Sequence, residues 1–179
     1  VSMEALARWQ KSDGTFVSPE EFIPLFESSG FITRFDMYIW KSVCKTLAAW
    51  QDKGCKLVPI SINVSMIDIT NIDVPQYLSM LTEQYHISPE YLPVEITESV
   101  FAESNTIVKN TITRFHKKGF YVLMDDFGSG YSSLNVLKDA NVDYLKLDMK
   151  FMQIDAKNKG KGIQILKSIV DMAYRLGLV

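Results

Sequence analysis

The chain has 179 residues, 47% of them hydrophobic, and a formal net charge of −2 at neutral pH. That length supports one domain with a sizeable core, and the apolar content excludes a disordered chain. The near-neutral charge gives no basis for bulk nucleic-acid binding, and no apolar run is long enough to span a membrane.

In chain order, Val1-Ser2-Met3 opens inside what reads as a strand, and Met3 to Trp9 mixes apolar residues with Glu4 and Arg8. Ser18-Pro19-Glu20-Glu21 predicts a helix start, with Ser18 and Glu21 as a capping box and Pro19 at the first helical position. Phe22, Leu25 and Phe26 give that helix one apolar face, and Gly30 ends it. A second helix is predicted from Arg34 to Lys53, with Ile39, Val43, Leu47 and Trp50 at helical spacing. Leu57 to Ile62 predicts a strand delivering Asn63, and Val74 to Tyr85 a helix. Leu92 to Glu98 predicts a strand with Glu95 set between Val94 and Ile96. Ser104 or Asn105 would cap the next helix, whose face is Val108, Thr111, Ile112 and Phe115 and which Gly119 ends. Tyr121 to Met124 predicts a strand that ends in Asp125-Asp126. A short helical segment near Ser132 to Leu137 follows, then a strand from Val142 to Leu147 bearing Lys146, with Asp148 after it. Ala156 to Gly162 reads as a mobile loop and Ile163 to Leu176 as a last helix, with Leu166, Ile169, Val170 and Ala173 on one face. Cys44 and Cys55 form no CxxC and read as free thiols of a reducing compartment. With only His86 and His116 besides, a zinc site is not expected.

Alternating strands and helices predict parallel strands with crossover helices. No GxGxxG follows the first strand, which counts against a dinucleotide-binding sheet. The polar residues favour a barrel. Asn63, Glu95, Asp125-Asp126, Lys146 and Asp148 all fall late in a predicted strand or just past it, where a (βα)8 barrel builds its active face. Each has a plainer alternative. Glu4 can be a surface charge, Asn63 a turn cap, Asp125-Asp126 a solvated turn, and Lys146 the partner of Asp148 on the same strand face. Glu95 resists such a reading, because a carboxylate inside an apolar strand needs a partner or a ligand. Together, oxygen donors on successive strand ends with one lysine fit a divalent-metal site.

Several stretches resemble motifs of the EAL domain family, in its order: Glu4-Ala5-Leu6 with Arg8-Trp9, Phe22-Ile23-Pro24 with Gly30, Ile62-Asn63-Val64-Ser65, Glu95-Ile96-Thr97-Glu98-Ser99, Asp125 to Leu134, and Lys146-Leu147-Asp148. The resemblance covers essentially the whole chain, residues 1–179. It implies a TIM-like barrel that hydrolyses cyclic di-GMP to linear pGpG with magnesium or manganese. It further implies that Glu4, Asn63, Glu95 and Asp125 hold one metal, and that Asp125 and Asp126 bind a second. Lys146 would contact the attacking water and the phosphate. Leu6 and Arg8 would lie along the substrate, and Glu98 would brace the loop from Asp125 to Leu134, which in the family couples metal binding and dimerisation to activity. Ser129 stands where the family often has Thr.

The family continues into a Glu-Gly-Val-Glu motif and a Gln-Gly segment that this sequence does not contain. The expectation is a domain cut at both ends, inactive as a fragment. The complete domain is expected to act as a homodimer in the cytoplasm, fused to sensory or GGDEF-type domains, with the cytoplasmic part of a membrane-anchored protein as the alternative setting. A non-catalytic cyclic di-GMP receptor is the alternative function, and a barrel doing enolate chemistry on a carbonyl acid is a remoter one.

Overall fold

A computed structural model describes residues 2–102, 106–128, 137, 140–148 and 159–178. Five strands form one parallel sheet: β1 (Met3–Glu4), β4 (Ile60–Asn63), β5 (Val94–Thr97), β6 (Val122–Phe127) and β7 (Tyr144–Leu147), in that spatial order. Between β1 and β4 come a small antiparallel hairpin, β2 (Trp9–Gln10) and β3 (Phe16–Val17), and two helices, α1 (Pro19–Ser28) and α2 (Ile32–Asp52). The later crossovers are α3 (Met66–Asn71) with α4 (Val74–Gln84), and α5 (Glu98–Ala102) with α6 (Thr106–Lys117). The last helix is α7 (Lys159–Arg175).

The sheet is curled. Laid flat, β1 and β7 would stand roughly 19 Å apart, four spacings of about 4.8 Å. Instead Lys146 Nζ of β7 lies 3.0 Å from Glu4 Oε2 of β1. The two outermost strands therefore face each other across an interior, and the sheet is part of a TIM-like barrel.

The outer face of the sheet carries the core. Ile62, Val94, Ile96, Val122 and Met124 are fully buried beneath helices, together with Trp40 and Leu47 of α2, Leu78 of α4 and Phe115 of α6. The expected face of α6 is all inward: Val108, Thr111, Ile112 and Phe115 are buried. Its end is set by Gly119 at φ +84°. There Phe120 N–H donates to Phe115 C=O at 3.1 Å and Gly119 N–H to His116 C=O at 3.0 Å, closing the helix and turning the chain into β6.

Several expectations are corrected. Ser18 makes no side-chain cap, and the capping box lies instead at Ser65 and Asp68, starting a helix, α3, that the apolar pattern does not announce. After Glu4 the chain turns into the β2–β3 hairpin, where Trp9 stacks on Phe26. Part of the expected mobile loop is helix, since α7 begins at Lys159, and Val170 on its expected apolar face is 55% exposed. The Ser104 or Asn105 cap lies outside the described residues, as does the segment 132–136. Among the described residues no helix is long and apolar enough to cross a membrane.

Candidate functional site

Successive residues of a strand point to opposite faces. On β5 the apolar Val94 and Ile96 go to the helices, so Glu95 and Thr97 go to the barrel interior. The register then lines up the interior. Glu95 pairs with Asn63, Thr97 with Asp125, and Glu4 with Ser61.

On β6 the alternation breaks. Met124 pairs with Leu145 and Phe127 with Leu147, so Asp125 and Asp126 together oppose the single residue Lys146. The adjacent aspartates are thus a β-bulge inside the strand, not residues following its end. Asp126 takes the left-handed conformation, φ +55°, and its N–H donates to Asp125 Oδ1 at 2.9 Å. That bond steadies the Asp125 carboxylate.

The side chains converge on Lys146. Its Nζ donates to Glu95 Oε2 at 2.6 Å and Glu4 Oε2 at 3.0 Å, and lies 3.3 Å from Asp125 Oδ1. Oxygens of Glu4, Glu95 and Asp125 all fall within 4.8 Å of one another. Asn63 Nδ2 donates to Glu4 Oε1 at 3.3 Å, and Asn63 is anchored through its own C=O by Trp40 Nε1–H at 3.0 Å. The alternative partner on the same strand, Asp148, gives way to partners from β1, β5 and β6. Asp126 is exposed beside this group and is not one of its three carboxylates.

Burial pushes the Glu95 carboxyl up, and hydrogen bonds from Lys146 and Ser61 pull it only partly back. Burial also works against the charge on Lys146, but the hydrogen bonds to Glu95 and Glu4 outweigh it and hold the ammonium well above the usual lysine range. The donor set is all oxygen and carries three carboxylates against one lysine, which suits a hard divalent cation. Glu98, 3% exposed at the start of α5, accepts from Gly128 N–H at 2.7 Å just past the bulge.

A cavity of 500 Å³ opens beside this cluster, with Leu6, Arg8, Glu27, Asp36, Asn63 and Thr97 in its wall. Leu6 is 58% exposed, and Arg8 donates from Nη1 to Ala7 C=O at 2.8 Å.

A family model described as the EAL domain matches residues 1–178. The chain belongs to the EAL domain family. It is 35% identical over 179 residues to PdeB of Escherichia coli strain K12, a probable cyclic di-GMP phosphodiesterase, covering 99% of this chain and 33% of PdeB. It is 32% identical over 179 residues to PdeR, a cyclic di-GMP phosphodiesterase of the same organism, covering 99% of this chain and 26% of PdeR. The chain thus spans a third or less of these relatives. Among solved structures it superposes on a cyclic di-GMP complex of the PaMucR phosphodiesterase with a TM-score of 0.89 at 26% identity, covering 99% of this chain and 71% of that one.

Two residues of this EAL domain site escaped the sequence reading, and both left a signal. Ser61 lies two residues before Asn63 on one strand, so it shares Asn63's face. It is 3% exposed and donates to Met3 C=O at 3.1 Å. Asp36 follows Ile32 and precedes Ile39 and Trp40 at helical spacing, which sets a carboxyl on the buried side of α2.

Proposed function

We propose that the complete domain hydrolyses cyclic di-GMP to linear pGpG, with magnesium or manganese held by Glu4, Asn63, Glu95 and Asp125 and with Asp126 joining Asp125 at a second metal. The observation that carries this reading is the convergence of Glu4, Glu95, Asp125 and Lys146 at one barrel mouth, beside the cavity that holds Leu6 and Arg8. The names of PdeB, PdeR and PaMucR support the substrate.

A bound divalent cation would lower the pKa of a water and neutralise charge on the phosphate. The protein's own residues do the rest. Glu4, Glu95 and Asp125 supply negative charge at fixed positions, and the Asp126 N–H and the Asn63 amide orient two of these carboxylates. Lys146 keeps its proton and offers positive charge where negative charge grows as water adds to phosphorus, an interaction stronger in the transition state than before it. Arg8 faces a phosphate and Leu6 gives the ligand an apolar surface. Glu98 braces the start of the loop after the bulge. Further domains on the same polypeptide, a homodimer and a cytoplasmic setting belong to the same proposal.

Turnover of cyclic di-GMP by the complete domain in magnesium or manganese tests it, with chelator as control. Sustained formation of pGpG is expected. Tight binding in calcium with no turnover in either metal would instead make the protein a cyclic di-GMP receptor.

A further inference from the structure

Glu4 is the least supported carboxylate of the site. It belongs to β1, a two-residue strand with both residues exposed, at one end of the described sheet. Glu95 and Asp125 stand on β5 and β6, which are paired on both sides. A working metal ligand has to be held to within about 0.5 Å, so Glu4 needs more than its own strand provides.

Ser61 of β4 is the register partner of Glu4. It grips the residues on either side of Glu4: its C=O accepts from Ala5 N–H at 2.9 Å, and its Oγ–H donates to Met3 C=O at 3.1 Å. Its neighbours Ile60 and Ile62 are buried and apolar, and Ser61 itself is shut off from solvent. A hydroxyl so placed has to find its partners within the protein. On the other side of β4 the Ser61 side chain also hydrogen-bonds the Glu95 carboxyl. Two residues on and on the same face, Asn63 repeats the pattern. Its Nδ2 donates to Glu4 Oε1 at 3.3 Å, and Glu95 is its register partner. The β4 strand is thus the spacer between the two glutamates, with Asn63 steadying the Glu4 side chain and Ser61 the Glu4 backbone.

We propose that Ser61 is a positioning residue of the metal site: its hydroxyl bond to β1 sets Glu4 at the distance from Glu95 and Asp125 that one divalent cation needs. The inference rests on the metal-dependent reading of that site. Ser61 gives the cation no ligand atom and acts through Glu4. A hydroxyl that only satisfied itself would be replaceable by any side chain of the same shape.

Val and Thr have that common shape and differ in the hydroxyl. Ser61 borders a cavity of 330 Å³ together with Pro93, Leu123 and Tyr144, which leaves room for added methyl groups. In the complete domain, binding of manganese without nucleotide is followed by the paramagnetic resonance of the free ion in the wild type, Ser61→Ala, Ser61→Val and Ser61→Thr. Affinity is expected to fall at least about tenfold in the Ala and Val variants and to recover in the Thr variant. Melting temperatures of the metal-free proteins read the purely structural contribution. Lower melting in Ala and Val with unchanged manganese affinity overturns the proposal, as does an equal loss of affinity in Val and Thr. In the background of Glu4→Gln, Ser61→Ala should cost little more, because changes that act through one ligand are not additive. A full additional loss there overturns the route through Glu4. With no nucleotide present, these outcomes are the same whether the domain hydrolyses its ligand or only binds it. A wild type that binds no manganese overturns the metal reading, and this proposal with it.

Discussion

Glu95 and Asp68 are both buried carboxyl residues, 1% and 0% exposed, and the fold surrounds them differently. Glu95 faces the barrel interior, where Lys146 reaches it at 2.6 Å with Glu4 and Asp125 close by. Asp68 sits at the start of α3, where Ser65 donates to it and its acidic neighbour is Asp36. The first cluster holds excess negative charge against one fixed cation and so can accept another. Near the second, burial and then Asp68 push the Asp36 carboxyl up to about 8. Lys146 and Glu4 of the first are partly exposed at the barrel mouth, whereas Asp68 is covered where α3 packs on α2. Glu98 shows a further device, a backbone N–H of Gly128 aimed at a buried carboxylate.

The largest effect is expected where the cation-balanced cluster loses a carboxylate. Asp125→Asn in the complete domain should abolish hydrolysis of cyclic di-GMP, because one residue serves both metals in the proposed site. Turnover within a few-fold of wild type would remove Asp125 from its centre.

Lys146→Met should lower turnover by roughly a hundred- to a thousandfold while leaving affinity in calcium nearly unchanged. It should also destabilise the metal-free protein by about 3 kcal/mol, because Glu95 would be left buried and unpaired. Added metal should then restore more of the melting temperature in the mutant than it adds in the wild type. A mutant that melts early yet turns over normally would reduce Lys146 to a structural role.

Glu98→Ala tests the third device. Losing a charged acceptor for Gly128 N–H should destabilise by about 1.5–3 kcal/mol. Turnover should fall further than metal-free stability if Glu98 steadies the loop after Asp125 and Asp126. Equal loss of both would mean that Glu98 only holds the fold.

The smallest effect belongs to Asp36. With Asp36 raised to about 8, the folded chain holds a proton that the unfolded chain releases near 4. Stability from this group is therefore full below about pH 4 and is lost as pH rises to about 8. The wild-type melting temperature should decline over that window, and Asp36→Asn should flatten part of the decline. An unchanged slope in the mutant would show that Asp36 ionises normally.

Much of this was legible in the order of residues. Local patterns gave the strand and helix alternation, the buried face of α6 and the glycine that ends it, because periodicity and capping act within a few residues. The motifs, through their family resemblance, singled out Glu4, Asn63, Glu95, Asp125 and Lys146, which the fold brings to one mouth. Asp126 and Glu98 were also marked, but what they do locally, as the left-handed half of a bulge and as the acceptor for Gly128, needed coordinates. Only the tertiary structure could choose between Asp148 and the distant carboxylates as partners of Lys146. Glu4 lies 142 residues away, and the contact exists because five strands curl until the outermost two meet. The same limit hid the nearness of Asp36 to Asp68. They stand on α2 and α3, and only the packing of those helices sets one near the other.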